Sequence, residues 1–278
     1  MSALTIVVPT YNRRDELVLC LESILRHAPG CPVLVVDDGG TDGTHMMVRE
    51  RFPKTVRCLR YERNRGPAHA RNRALESIET PYAAFVDSDV EFSGSWLDAV
   101  LAALQPDTVL AGRVERPDGS LEWGPRKTMF WGGSRPCISS AANVASSNNM
   151  VVPVALSRAV GGFAEDLGFY FEDTYFCIRA RKIGFKVRYL DDARIIHHHN
   201  STRKPERIER LVRNRTYAMV KDADAPVCMS VVQAGLALAE AAQSVAAGNH
   251  QSAGAALRGF IRGVRDAGRT RFSKPSRN

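Results

Sequence analysis

Two carboxylates stand one residue apart at the end of an apolar run in Ala83–Ala84–Phe85–Val86–Asp87–Ser88–Asp89. The apolar residues read as a short buried strand, and in an open α/β sheet the carboxyl ends of the strands face the crevice where ligands bind. At such an edge Asp87 and Asp89 could hold a divalent cation and the anion that comes with it. Hard oxygen ligands point to Mg²⁺ or Mn²⁺. Alone, the same triplet also serves as an acidic turn capping the next helix, so its meaning rests on what the chain brings beside it.

The elements that must position these carboxylates are legible upstream. Leu4–Val8 reads as a strand ended by Pro9–Thr10–Tyr11–Asn12, and Leu17, Cys20, Leu21, Ile24 and Leu25 then recur at helical spacing until Pro29–Gly30. A second strand, Val33–Val36, enters the glycine-rich turn Asp37–Thr44, where Asp42 can cap the following helix. A third, Val56–Tyr61, leads through Asn64–Arg65–Gly66–Pro67 into a helix carrying Arg71. This alternation predicts an α/β domain with a mostly parallel central sheet flanked by helices.

Downstream, a helix is expected near Trp96–Leu104 and a strand near Val109–Gly112, after which Glu115–Ser147 reads as a long irregular insertion holding Trp123 and Trp131. Asn148–Val152 resumes as a strand, Gly161–Gly162–Phe163 follows, and Glu172–Asp173 opens a helix that stops at Gly184. Val187–Leu190 and Ala193–Ile196 read as two short strands, the second running into His197–His198–His199.

Turns after successive parallel strands converge on one sheet edge. That gathers Thr10–Tyr11, Asp38, Arg71 and Asp87–Asp89. Tyr11 could stack on a base, and Asp38 could accept a hydrogen bond from the ring N–H of uracil or thymine. Arg71 offers a planar fork to phosphate. Asp89 suits the cation, and Asp87 a ribose hydroxyl or the same ion. The chain contains neither Gly-x-x-x-x-Gly-Lys nor Gly-x-Gly-x-x-Gly, so a metal must neutralise the phosphates. Residues 197 and 199 share a face of their strand while 198 points away, so the three histidines cannot all reach one ion.

In sequence order, Val8–Asn12, Val36–Thr44, Asn64–Asn72, Phe85–Asp89, Gly161–Phe163, Glu172–Asp173 and a strand ending in His197 resemble family-2-type glycosyltransferases of the GT-A fold over roughly residues 4–200. The resemblance implies an inverting transfer from a nucleotide-sugar. It implies that Pro9, Thr10, Tyr11, Asp38, Arg71, Asp87 and Ser88 line the nucleotide-sugar site, that Asp87 and Asp89 form the metal site, that His197 stands at a metal-ligand position some members use, with His199 on the same face as the alternative, and that Asp173 is the base. Gly40 and Ala164 depart from the family pattern, at positions where Ser and Asp are common.

The 278 residues carry a formal charge of +8, and the excess lies entirely in the last 78, which hold 14 basic and 6 acidic side chains. A neutral body with a basic tail argues against nucleic acid and toward contact of the tail with an anionic membrane, a lipid-linked acceptor or another subunit. Leu257, Phe260, Ile261 and Val264 beside Arg258, Arg262 and Arg265 suggest an interfacial helix, or equally a helix packed on its own domain with a solvated basic face. Gln233, Glu240 and Gln243 break the Ala-rich run Val227–Gly248, which argues against a membrane span. Six scattered cysteines read as reduced, and Thr5–Val8 already reads as a strand with no leader before it. The expectation is a cytoplasmic enzyme, peripheral to the inner membrane face if the tail binds lipid, with room for a homo-oligomer.

The expected domains are therefore 1–200, catalytic, and 201–278, a helical basic extension. The expected donor is a UDP- or dTDP-sugar, and the acceptor a glycan, a lipid-linked sugar or a small molecule. Two rivals are a phosphoaspartate-type phosphotransferase, whose motif belongs on the first strand of its domain, and a catalytically inactive nucleotide-sugar-binding protein.

Overall fold

The computed structural model describes residues 2–198 and 204–272. Contacts divide the chain into two units. One comprises Met1–Lys127, Ser134–Gly168 and Glu172–His199; the other comprises Thr128–Gly133, Phe169–Phe171 and Asn200–Asn278.

The first unit is built on β1 (Leu4–Thr10), with β2 (Val33–Asp37) and then β3 (Val56–Arg60) laid parallel along one side. The chain then returns to the other side of β1 as β4 (Tyr82–Val86), again parallel. That reversal makes the carboxyl ends of β1 and β4 the switch point of the sheet, where open α/β folds bind ligands.

Beyond β4 the directions are mixed. β5 (Val90–Phe92) sits at the far edge, antiparallel to β11 (Lys186–His197), and β11 runs parallel to β6 (Thr108–Glu115). β10 (Asn149–Pro153) lies antiparallel between β4 and β6, and β7 (Leu121–Trp123) pairs antiparallel with β6. The expected mostly parallel sheet is therefore mixed, the antiparallel pairs being those made by β5, β7 and β10. The 115–147 insertion is partly ordered into β7, a β8–β9 ribbon (Arg126–Thr128 and Ser134–Pro136) and a 3₁₀ turn at Ser139–Ala141.

The two short strands expected at 187–196 form one strand with a bulge between Leu190 and Arg194. Asn149 fills that bulge: its Nδ2 donates to Ala193 O at 2.8 Å and Arg113 O at 3.0 Å, while its Oδ1 accepts from Trp96 Nε1 at 3.0 Å. Gly112 leaves the room, since a Cβ there would stand 2.1 Å from Asn149 Nδ2.

Alternation along β1 sends Leu4, Ile6 and Val8 to one face and Val7 to the other. The first face packs on α1 (Arg14–His27) through Leu17, Leu21 and Ile24, on α2 (Thr44–Arg51), and on α4 (Trp96–Ala103) through Trp96. The second packs on α3 (Pro67–Ser77), α5 (Val154–Ala159) and α6 (Glu172–Lys182), with Phe163 stacked on Phe176 and set edge-on to Phe85. Asp42, expected to cap one helix, serves two: Oδ1 accepts from Thr44 N at 3.0 Å and Oδ2 from Arg14 N at 2.9 Å.

The second unit holds α7 (Pro205–Lys221), α8 (Pro226–Ala246) and α9 (His250–Phe272). α9 buries a face of small residues, among them Ala256, Gly259, Gly263 and Ala267. A Cβ at Gly259 would lie 2.4 Å from Glu209 O, and one at Gly263 2.7 Å from Arg213 O, so the glycines let α9 lie close on α7. The apolar stripe expected on this helix is split: Phe260 packs with Val212, Ala237 and Ala256, while Leu257 and Ile261 are exposed. Arg258 and Arg262 both pair with Glu209, and Arg213 with Asp266. Gln233 is buried because Arg215 and the Trp131 carbonyl occupy its amide. Among the described residues no helix is long and apolar enough to cross a membrane. The six cysteines, read from the sequence as reduced core residues, are free thiols, but only Cys20 and Cys177 are buried and Cys228 is exposed.

Candidate active site

β4 ends one residue before Asp87, and β5 begins one residue after Asp89. The edge strand β5 thus carries the Asp-x-Asp toward the end of β11, where His197 pairs with Val90 and His198 N donates to Asp89 O at 2.9 Å. Ligand atoms of Asp87, Asp89 and His197 all lie within 4.8 Å of one another. His197 Nε2 stands 3.2 Å from Asp89 Oδ1, and its Nδ1 lies 3.1 Å from Glu122 Oε1. Burial works against a charge on this imidazole. Hydrogen bonds to Asp89 and Glu122, with the charges of Asp89 and Asp87, outweigh it and raise the pKa to about 10. Arg13 Nη1 donates to Asp89 Oδ2 at 3.1 Å. His198 is half exposed and faces Glu91, apart from this cluster. His199 lies outside the described residues.

The β1 and β2 ends supply a second group. Thr10 pairs in register with Asp37, and Asp38 N donates to Thr10 O at 3.0 Å. Asp38 is buried, and its Oδ2 accepts from Arg65 N at 2.9 Å and Gly66 N at 2.7 Å, which holds the turn before α3. Its Oδ1 makes no hydrogen bond among the described residues, His69 Nδ1 standing 3.6 Å away, and the buried Thr10 Oγ1 is likewise unpaired. Tyr11 is 47% exposed, Pro9 is half-buried and Ser88 is buried.

Arg71 differs most from its sequence-based expectation. Its guanidinium, read as a fork for phosphate, is buried, donates to Glu172 Oε1 at 2.8 Å, stands 3.7 Å from Asp87 Oδ1 and lies over the Phe163 ring. Burial, then the neighbouring Asp173 charge, raises Glu172 to about 7 against the pull of Arg71. Asp173, next in α6, accepts backbone N–H bonds on both oxygens, from Thr174 at 2.6 Å and Ser147 at 3.1 Å. The charges of Arg71, Asp89, His197 and Asp173 all act on Asp87. Sequence reasoning missed Arg13 and Glu122: the first follows the Pro9–Asn12 motif with no signal of its own, and the second lay in the stretch read as irregular.

A family model described as Glycosyl transferase family 2 matches residues 5–157, from β1 into α5. The chain belongs to this family. Over 213 residues this family-2 chain is 29% identical to the pre-mycofactocin glycosyltransferase of Mycobacterium tuberculosis, an alignment covering 71% of the chain and 43% of that protein. It is 39% identical over 97 residues to the teichoic acid poly(glycerol phosphate) polymerase of Staphylococcus epidermidis, covering 34% of the chain and 14% of that protein. The chain therefore spans less than half the length of these curated relatives.

Among solved structures, it is similar to the mannosyltransferase PcManGT of Pyrobaculum calidifontis in complex with GDP-Man and Mn²⁺, with a TM-score of 0.64, 17% identity and coverage of 95% of this chain and 87% of that one. It is also similar to S. aureus TarS 1–349 in complex with UDP, at a TM-score of 0.58 and 20% identity, covering 99% and 93%. The family-2 chain thus has the mixed α/β GT-A fold, with a helical C-terminal region.

Proposed function

We propose that this chain transfers a sugar from a nucleotide-sugar to an acceptor hydroxyl, inverting the anomeric centre in a direct displacement. The observation that carries the reading is the convergence of Asp87, Asp89 and His197 at the switch-point edge of the sheet, with ligand atoms within 4.8 Å of one another. Two carboxylates and an imidazole fit Mn²⁺ or Mg²⁺. When bound there, such a cation supplies positive charge for the departing diphosphate.

Thr10, Tyr11 and Asp38 take the nucleoside in this reading. Buried polar atoms without partners are costly; among the described residues Thr10 Oγ1 and Asp38 Oδ1 lack a hydrogen bond, and a pyrimidine N–H would satisfy the carboxylate oxygen. That fits a UDP- or dTDP-sugar. Asp87 and Ser88 contact the ribose or diphosphate, beside Pro9, while Arg71 acts from behind by holding Asp87 and Glu172. The carboxylate of Asp173 takes the acceptor hydroxyl proton. The freed oxygen bonds to the anomeric carbon as the carbon–oxygen bond to the diphosphate breaks, and nucleoside diphosphate leaves. The two backbone N–H bonds fix Asp173 for this task.

Catalysis is assigned to residues 1–200, with 201–278 as a helical extension; the acceptor is a glycan, a lipid-linked sugar or a small molecule. Internal pairing of Arg258, Arg262 and Arg213 favours a structural role for the extension over contact with anionic lipid.

The test is release of nucleoside diphosphate from UDP-, dTDP- and GDP-sugars, with and without Mn²⁺. Metal-dependent release that disappears in Asp89→Asn is the expected result. Release that ignores both the metal and Asp89, or none from any donor, would sink the reading.

A further inference from the structure

We propose that Glu122 is a positioning residue for the cation site, holding the His197 ring by Nδ1 so that Nε2 is presented beside Asp89. This rests on the assignment of Asp87, Asp89 and His197 as cation ligands, and adds a residue that no motif marks.

Three observations carry it. The imidazole spans two carboxylates through opposite nitrogens: Nδ1 lies 3.1 and 3.2 Å from the two Glu122 oxygens, and Nε2 lies 3.2 Å from Asp89 Oδ1. A ring nitrogen can bind a cation only through a free lone pair, and a hydrogen bond at the other nitrogen selects the tautomer that leaves it free. The second observation is how Glu122 gets there. Val114 pairs with Trp123 and Glu115 with Leu121, so Glu122 is the extra residue of a bulge in β7. Bulges re-aim a side chain out of the regular alternation. A regular β7–β6 ladder would lose that device.

Third, the backbone at His197 is fixed without Glu122, by pairing with Val90 and by the bond from His198 N to Asp89 O. Glu122 therefore acts on the orientation and tautomer of the ring rather than on where the strand lies. Both side chains are largely shielded from water (18% and 9% exposed), where a hydrogen bond holds geometry better than at an open surface.

The test is Mn²⁺ affinity of the purified full chain, followed by loss of the free-ion electron paramagnetic resonance signal, for the protein alone and with UDP. Glu122→Ala should weaken Mn²⁺ binding about 10–100-fold, the usual effect of losing such an outer partner. Glu122→Gln keeps a carbonyl oxygen for Nδ1–H and should stay within a few-fold of wild type. Urea unfolding of both variants separates this from a stability effect, which would move the unfolding midpoint and leave the affinity of the folded protein alone. Unchanged affinity in Glu122→Ala, or equal losses in Ala and Gln, overturns the positioning role. A wild-type protein that binds no Mn²⁺ in either condition, or an Asp89→Asn that binds as wild type does, overturns the cation assignment and this inference with it.

Discussion

Arg71 donates through Nη1 to Glu172 Oε1 at 2.8 Å, with both side chains almost fully buried (3% and 5% exposed). Its second nitrogen stands 3.7 Å from Asp87. One guanidinium thus links the strand end that carries the Asp-x-Asp to the helix start that carries Asp173. Ion pairs this deep contribute little net attraction once desolvation is counted, but breaking one leaves a stranded charge. The pair is therefore better understood as fixing geometry than as adding stability.

Arg71→Met should lower the free energy of unfolding by about 1–3 kcal/mol at neutral pH, because the buried Glu172 carboxyl loses its donor and takes up a proton rather than stay charged. Adding Glu172→Gln should restore part of that loss, because the neutral amide has no charge to give up when the guanidinium is absent. Urea titrations of the two single variants and the double variant measure the coupling. Strict additivity would mean that the two side chains do not depend on each other.

Glu172 makes stability depend on pH. Its carboxyl is raised to about 7 in the folded protein, mainly by burial and then by Asp173, against 4.5 in an unperturbed chain. Between those values the native state holds a proton that the unfolded state has released, so stability falls as pH rises through this window. The contribution is fully present below about pH 4.5 and lost once the folded group ionises near 7. Glu172→Gln, which cannot ionise, should gain on the wild type by on the order of 2–3 kcal/mol between pH 4.5 and 7.5. Unfolding curves at the two pH values check this. A variant-to-wild-type difference that stays flat contradicts it.

The four parallel strands of the first half were legible because β1, β2 and β4 are buried apolar runs, β3 sets Val56, Cys58 and Leu59 among arginines, and each is closed by a turn holding Gly, Asn or Asp. The turns after successive parallel strands share one sheet edge, which gathers Thr10, Asp38 and Asp87–Asp89. β5 was not legible: Val90–Glu91–Phe92 is too short to carry a period, yet this strand is what sets Asp89 beside His197. Glu122 was hidden for a related reason. A bulge is one residue out of phase with the alternation that marks a strand whose one face is solvated. For Arg71 the sequence shows a planar fork but not its burial or its partners Glu172 and Asp87. The small-residue face of α9 also escaped notice, because Gly259 and Gly263 look like helix weaknesses until α7 is laid against them.

That close packing gives its own test. Gly263→Ala places a Cβ 2.7 Å from Arg213 O and 2.6 Å from Thr216 Cβ, and should destabilise the helical unit by about 1–3 kcal/mol. Gly268→Ala is the control on the same helix, where a Cβ meets nothing within 4 Å. It should be neutral or stabilising by up to about 1 kcal/mol through helix propensity. Thermal unfolding of the pair decides it; equal effects would show that propensity, not the fit against α7, governs both positions.

Asp173→Asn is the sharpest probe of the proposed chemistry. The amide has the size of the carboxylate but cannot take a proton from the acceptor, and its carbonyl can still accept from Ser147 N or Thr174 N. Turnover should fall about 10²–10⁴-fold, the range for loss of a positioned base. Donor affinity should hold within a few-fold, because the residues proposed for the nucleoside and the cation lie on other elements. Initial rates and a direct donor-binding titration on the same preparation separate the two effects. If transfer survives within a few-fold, Asp173 is not the base; if donor binding fails with it, Asp173 acts on the donor side, through the electrostatic link that already joins it to Asp87.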